Sequence, residues 1–120
     1  DVPNVIEAAR QSATPEILFL IDQALNLRNK STPEVTKQLG MSCNLEFGIP
    51  SVIHNLSKQD TFTESIRQNI YAGGDSCGRS ILLGAVLGNI YGVNEDNGIP
   101  QSWIEKLDQK EHITHLLSCI

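Results

Sequence analysis

The segment 71–80 combines a tight glycine turn, a short polar tip and the start of a helix. Gly73 and Gly74 lack a Cβ atom, so the backbone there can adopt a positive φ or approach another group closely. Asp75 and Ser76 are good N-cap residues, whose side-chain oxygens accept hydrogen bonds from free N–H groups of a first helical turn. The pattern therefore predicts a sharp turn that leads directly into a helix.

The predicted helix behind this turn is apolar on most sides, which is typical of a buried helix. Its apolar residues are Ile81, Leu82, Leu83, Ala85, Val86, Leu87 and Ile90. Ser80, Gly84 and Gly88 recur every four residues, so one stripe is small and another backbone can approach along it. The run is too short to span a membrane, and Gly92 suits the position just after a helix.

The start of this helix is also where we expect the chemistry. A helix N-terminus offers unpaired N–H groups and a partial positive charge, which favour anions such as phosphate. An aspartate in this position can instead ligate a hard cation. The simpler interpretation, in which Asp75 caps the helix and does nothing else, stays open because glycine-rich strings have many unrelated uses.

Three motifs follow one another from the turn onwards. They are Ala72-Gly73-Gly74-Asp75-Ser76-Cys77, Tyr91-Gly92 and Ile99-Pro100-x-x-Trp103. Together they resemble the C-terminal part of the ADP-ribosylglycohydrolase family, over roughly Gly40 to Leu107. The resemblance implies an all-α, orthogonal multi-helix fold. It also implies a hydrolase that uses bound Mg²⁺ to cleave the glycosidic bond between ADP-ribose and a protein side chain or small acceptor.

In that family, a Gly-Gly-Asp-Thr-Asp-Thr tip supplies ligands to a pair of Mg²⁺ ions. By resemblance, Asp75 matches the first aspartate and is the metal ligand carried over, while Ser76 matches the first threonine and can contact a ligand. Cys77 and Gly78 stand where the second aspartate and the second threonine would be. Because Mg²⁺ requires oxygen ligands in near-octahedral geometry, the resemblance implies an incomplete metal site. It leaves the catalytic residues unknown.

The variant tip, with Gly40-Met41-Ser42-Cys43 upstream, is similar to a divergent branch of the family that includes the J-type lens crystallins. The alternative function is therefore a catalytically inactive member that binds an ADP-ribose-like ligand or has a structural role. Arg79 motivates this alternative, because its guanidinium can replace the missing metal charge, pair with Asp75 or hold a phosphate. In the family, the segment matching Met41–Gly48 runs along the substrate cleft, whereas on its own it reads as a packed surface loop.

Other candidate residues have weaker support. Cys77, at a helix N-terminus near Arg79, is a candidate nucleophile or redox thiol, although no histidine base can be matched to it. His54 falls in the middle of a predicted helix, where histidine is more often structural than catalytic. His112 and His115 are three residues apart and can share a metal, but a solvated face is the simpler interpretation.

A net charge of −5 argues against nucleic acid and anionic membranes as partners, and the sequence shows neither a signal-peptide pattern nor a transmembrane run. Three cysteines without framework spacing favour a reducing cytoplasm. The chain starts at Asp1 rather than Met, and the resembled domain is much longer. We therefore expect residues 1–120 to be the C-terminal portion of a single larger domain, which needs the N-terminal part of that domain to fold without self-association.

The remaining segments also predict helices, since all five prolines precede helical patterns. The predicted helices run from Pro3 to about Gln11, from Pro15 to about Asn29, from Pro33 to Gly40 and from Pro50 to about Lys58. Thr61–Glu64 fits a capping box that starts a helix with Phe62, Ile66 and Ile70 on one face. Trp103, Ile104 and Leu107 are predicted to face inward from the next helix, and residues 110–120 to form the last one.

Overall fold

The computed structural model describes residues 1–94 and 96–119. Within them the chain forms α1 (Val2–Ser12), α2 (Pro15–Asn26), α3 (Thr32–Leu39), α4 (Leu45–Ser57), α5 (Phe62–Ala72), α6 (Ser76–Tyr91), α7 (Gln101–Glu105) and α8 (Lys110–Leu117). Apart from an isolated parallel bridge between Val93 and Ile99, this part of the chain contains no β-structure. The predicted all-α fold is confirmed. Ile120, the last residue of the predicted final helix, lies outside the described residues.

The first three helices begin where the proline pattern predicts. Each has a proline in one of its first two positions, after an N-cap that is Asp1, Thr14 or Ser31. Ser31 forms a full capping box, because its Oγ accepts from the Glu34 N–H while the Glu34 carboxylate accepts from the Ser31 N–H at 3.0 Å. Helix α2 ends at Asn26 rather than Asn29. After Asn26, N–H groups donate to the carbonyl three residues earlier, as in a 3₁₀-helix, instead of four residues earlier.

One of the predicted helix starts is wrong. Helix α4 begins at Leu45 after the N-cap Asn44, so Pro50 lies inside the helix and the predicted loop 41–48 ends early. Pro100 directly precedes α7 as its N-cap, within one residue of the proline pattern. Pro50 is the sixth residue of α4, beyond the first four N–H groups that lack an intrahelical partner, so the helix forgoes the bond that an N–H at this position would donate to the Glu46 carbonyl. Residues 50–57 are nevertheless all buried. Tertiary burial of α4 therefore overrides the local signal of Pro50.

Helix α4 is the centre of the fold. Its residues 50–57 are all buried, and α1, α2, α3, α5 and α6 each pack against it. One apolar cluster contains Val2, Ile6, Val52, Leu56, Phe62, Leu83 and Leu87. A second, between α2 and α4, contains Ile21, Ala24 and Ile53. Since α4 contributes to both clusters, it packs between α2 and α6, the helix that follows the glycine turn.

The buried face of α5 differs from the prediction. Phe62 is buried, but Ile70 is 57% exposed, and the face continues instead through Ser65, Asn69 and Ala72. These small and polar residues are three or four positions apart, which is the spacing of one helix face, so the sequence did indicate this buried face. Thr61 caps the helix as predicted, with its Oγ1 accepting from the Glu64 N–H at 3.2 Å. The return bond of a full capping box is not formed among the described residues, and Glu64 Oε1 instead accepts from Gln68 Nε2 at 2.7 Å.

Helix α6 is buried on one face rather than on most sides. Leu83 and Leu87 are fully buried, whereas Ile81 is 73% exposed. The predicted small stripe is only partly used: a Cβ built at Gly84 meets nothing, and one at Gly88 lies 3.3 Å from an Ile99 methyl group. No backbone within the described residues approaches the middle of this stripe.

The inward orientation predicted for α7 is also only partly realised. Trp103 packs edge-to-face on Phe62, with ring centroids 6.1 Å apart. It remains 37% exposed and Leu107 remains 48% exposed, while Ile104 is half-buried. A helix of five residues has too few positions to bury a continuous face.

His54 occupies a structural position, as predicted. Its side chain is fully buried in α4, and its Nε2 lies 3.1 Å from the carbonyl oxygen of Leu27. His112 and His115 lie on the exposed surface of α8, and among the described residues no group of three metal-ligating side chains forms. The described helices include none long and apolar enough to cross a membrane.

We predict that His54 makes stability fall in mildly acidic solution. Burial lowers the pKa of His54 below its ordinary value of 6.5, so the folded protein holds it neutral. Above pH 6.5 its contribution to stability is complete. As the pH falls below that value the unfolded chain takes up the proton first, and stability is lost until the folded-state pKa is reached.

The measurement is urea unfolding at about pH 7.5 and about pH 5.5. His54→Gln keeps a donor for Leu27 but cannot titrate, and it leaves every surface carboxylate in place. The wild-type protein should lose more unfolding free energy between the two pH values than this variant does. Equal losses would contradict the prediction.

An apolar cavity of about 450 Å³ lies between α1, α2, α4 and α6. Its lining is mainly aliphatic, and Leu45, Ile81 and Phe19 are more than half exposed elsewhere on the surface. We predict that residues 1–120 expressed by themselves self-associate, because apolar surface in water favours its own burial. Sedimentation should show oligomers or aggregates, and a monomer with a single cooperative thermal transition would disprove this.

Candidate functional site

The glycine turn joins α5 to α6 against the loop before α4. Gly73 and Gly74 have φ values of 70° and 62°, in the region that glycine adopts without strain. A Cβ on Gly74 would lie 2.7 Å from the Met41 Cβ and would collide with the Met41 carbonyl oxygen. That carbonyl instead accepts from the Asp75 N–H at 2.9 Å. Both predicted uses of glycine, positive φ and close approach, are therefore present at Gly74.

Asp75 caps α6, as its sequence position predicts. Its Oδ1 accepts from the Gly78 N–H at 3.1 Å. Its backbone, at φ −74° and ψ 60°, forms an inverse γ-turn in which the Ser76 N–H donates to the Gly74 carbonyl at 2.8 Å. The Arg79 N–H donates to the Asp75 carbonyl at 3.3 Å.

These bonds limit the anion-binding capacity of the helix start. Of the first four N–H groups of α6, those of Ser76, Gly78 and Arg79 have partners within the turn. Among the described residues, the N–H of Cys77 is the one without such a partner. An anion at this helix start would therefore receive one free backbone donor, together with the helix dipole.

The Asp75 carboxylate occupies the space beside Gly78. A Cβ built at Gly78 would lie 3.0 Å from Cγ of Asp75 and would collide with its Oδ2. A side chain at this position would therefore require the Asp75 carboxylate to rotate. It would not prevent capping, because Asp1, Ser31 and Thr61 accept from the N–H groups of Asn4, Glu34 and Glu64, which all carry side chains.

Arg79 lies behind the turn rather than on its outer side. It is 4% exposed, its Nε donates to Asn69 Oδ1 at 2.7 Å, and its Nη2 donates to the Gly73 carbonyl oxygen. Burial lowers the pKa of Arg79, and the negative charge of Asp75 opposes that shift. The predicted direct ion pair between Arg79 and Asp75 is not formed within the described residues, so the two charges interact through space.

Asn69 is a site residue that the sequence analysis missed. It is 2% exposed on α5, and its Nδ2 donates to the Ser76 carbonyl and to Ser80 Oγ, at 2.8 Å each. With the bond from Arg79, all polar atoms of its amide have partners. The sequence feature that could have indicated Asn69 is its position four residues after Ser65, on the same face of α5.

A cavity of about 200 Å³ opens between the start of α4 and the start of α6. Its lining combines a mostly apolar wall from the α4 side with the tip residues, and consists of Cys43, Leu45, Gly48, Ile49, Val52, Asp75, Gly78, Arg79 and Leu82. Ligand pockets for drug-sized molecules are about 300–1,000 Å³, so this cavity is large enough for a fragment of such a molecule. The segment 41–48, matched by resemblance to a cleft wall, supplies Cys43, Leu45 and Gly48.

The donor set of the tip does not by itself fit a pair of Mg²⁺ ions. Asp75 supplies one carboxylate, and one of its oxygens is engaged by Gly78. Cys77 follows as an exposed thiol, which is a poor ligand for Mg²⁺. In the described ranges no three histidine, cysteine or acidic side chains come together. The tip residues 73–79 therefore offer one carboxylate.

The helical fold, the Gly-Gly-Asp turn and the adjoining cavity define an all-α protein with a candidate ligand site at a helix start. A family model described as ADP-ribosylglycohydrolase matches residues 1–119. The chain therefore belongs to the ADP-ribosylglycohydrolase family, over a longer stretch than the motifs alone indicated.

Two curated proteins are similar to the chain. One is crystallin J1A of Tripedalia cystophora, 26% identical over 86 residues, which are 72% of this chain and 26% of that protein. The other is ADP-ribosyl-[dinitrogen reductase] glycohydrolase of Rhodospirillum rubrum, 37% identical over 60 residues, which are 50% of this chain and 19% of that protein. The matches thus span about a fifth to a quarter of these relatives. No solved structure matches the chain.

We predict that Gly74→Ala destabilises the protein by about 1–3 kcal/mol, because alanine is strained at positive φ and its Cβ displaces the Met41 backbone. Gly84→Ala is the matched control. Position 84 lies inside α6 with open space around the added Cβ, so this change should stabilise by about 0.5–1 kcal/mol through helix propensity. Thermal or urea unfolding measures both, and equal effects would show that the turn does not depend on Gly74.

Proposed function

We propose that the chain is part of an ADP-ribosylglycohydrolase-like protein that binds the ADP-ribose portion of its substrate at the cavity beside Asp75. The observation that supports this most is the position of Asp75. The residue that matches the family's first aspartate lines a cavity of about 200 Å³ at a helix start. The reaction would be hydrolysis of the glycosidic bond that joins ADP-ribose to a protein side chain or small acceptor.

Three residues carry binding roles in this proposal. Asp75 would be the ligand from this chain to a Mg²⁺ ion, through the oxygen that does not accept from Gly78. Ser76, the first residue of α6, would contact the ligand through its hydroxyl. Arg79 lines the cavity, and its fixed positive charge would attract the negatively charged diphosphate. The ion would supply charge neutralisation and orientation of ribose hydroxyls when bound.

A catalytically inactive family member that binds an ADP-ribose-like ligand is the second candidate. Cys77 and Gly78 favour it, because they stand where the family pattern has a carboxylate and a hydroxyl, and one oxygen of Asp75 is engaged as a helix cap. Under this proposal the buried Arg79 charge replaces part of the missing metal charge. The similarity to a protein named as a crystallin also supports a role without hydrolysis, either in ligand binding or in structure.

The test is calorimetric titration of the whole protein with ADP-ribose, with and without Mg²⁺. Binding that requires Mg²⁺ would support the hydrolase, and release of ADP-ribose from a modified protein would then complete the case. Binding that is equal without metal would support the inactive binder. No binding in either condition would overturn both proposals while leaving family membership intact.

Asp75→Asn isolates the metal role of this residue. Asparagine caps a helix about as well as aspartate, so the melting temperature should change little. Loss of a carboxylate ligand should weaken any Mg²⁺-dependent binding by about tenfold or more. Unchanged Mg²⁺-dependent affinity would remove Asp75 from the metal site.

A further inference from the structure

The tip is held from behind by a buried polar network that crosses between two helices. Arg79 donates to Asn69 and to the Gly73 carbonyl, and Asn69 donates to the Ser76 carbonyl and to Ser80. The last turn of α5 is thereby tied to the first turn of α6. The turn itself is also tied, because the Gly73 carbonyl precedes the tip and Ser76 follows it.

This network is costly to bury. A guanidinium taken out of water is unfavourable unless it is paired, and here its two bonded partners are a neutral amide and a carbonyl. Its Nη1 is buried without a partner among the described residues, and burial lowers its pKa. An apolar residue would fill this position without such a penalty. A residue that only packed α6 against α5 would therefore not need to be arginine.

What the guanidinium supplies is a donor directed at the Gly73 carbonyl. At positive φ, Gly73 ends α5, and its carbonyl points away from the helix ladder. Arg79 donates to that carbonyl, while Asn69, itself bonded to Arg79, donates to the Ser76 carbonyl. Asp75 lies between these two anchored peptide groups.

We propose that Asn69 and Arg79 are positioning residues, which set the orientation of Asp75 towards the cavity and so determine the ligand affinity of the tip. This proposal rests on the proposed function for its affinity readout. It acts through the backbone of residues 73–76, since both anchored atoms are carbonyl oxygens. It names Asn69, which the motif pattern does not include, as a determinant of the site.

The experiment compares Arg79→Met, Arg79→Lys, Asn69→Leu and Asn69→Asp with the wild-type protein. Lysine keeps the charge but cannot donate in the fork geometry of arginine. Aspartate keeps the acceptor for Arg79 but loses both donations from Nδ2. Leu87→Ala is the control, because it removes a buried side chain of α6 away from the tip and lowers stability without touching the network.

Two quantities are measured at a temperature where every variant is folded. The first is ADP-ribose affinity, which should fall by about tenfold or more in Arg79→Met and Asn69→Leu, less in Arg79→Lys and Asn69→Asp, and remain unchanged in Leu87→Ala. The second is the amide NMR resonance of Gly78, which reports the bond to Asp75. It should shift in the four network variants and keep its position in the control.

The outcomes separate this proposal from the proposed function. If the wild-type protein does not bind ADP-ribose, the proposed function fails, and the Gly78 resonance decides the positioning role alone. A resonance that stays in place in Arg79→Lys and Asn69→Asp overturns the positioning role. Affinities that fall only in proportion to the melting temperature, with Leu87→Ala falling equally, also overturn it, because they reveal general destabilisation.

Discussion

The contact between Gly74 and the backbone of Met41 is the constraint on which the site depends. It brings the turn between α5 and α6 against the loop before α4, and the Met41 carbonyl binds the Asp75 N–H. The cavity lies where these two segments meet, with one wall from each. A side chain at position 74 would separate them, because the space for its Cβ is already occupied. The absence of a Cβ at position 74 therefore allows the turn to stay against Met41, with the Asp75 carboxylate at the cavity.

The Asp75 carboxylate turns back over its own helix, where its Oδ1 accepts from the Gly78 N–H. One carboxylate oxygen that caps a helix is less available to a metal ion, so capping and metal binding compete for Asp75. The departure from the family pattern at Cys77 adds to this competition, because it removes a carboxylate from the tip.

The two proposed functions differ by one property, the ability to hydrolyse. The cavity, the helix dipole and the buried charge of Arg79 support the ligand binding proposed in both. What separates the two proposals is the metal, for which the tip residues 73–79 offer one carboxylate. The two similar proteins, a glycohydrolase and a crystallin, represent the same division by name. A binding site that lacks one metal ligand is physically reasonable, because neither the fold nor the hydrogen bonds of the tip involve the ion.

The sequence was enough to predict the all-α fold, the family and the helix start at Asp75, because caps, turns and short motifs act over a few neighbouring residues. It was misleading at Pro50 and Ile70, where packing decides which residues are inside a helix and which face is buried. Only the tertiary structure showed that Arg79 and Asn69 support the turn from behind. The direction of a long side chain depends on which carbonyl groups the fold brings within reach, and no local pattern encodes that.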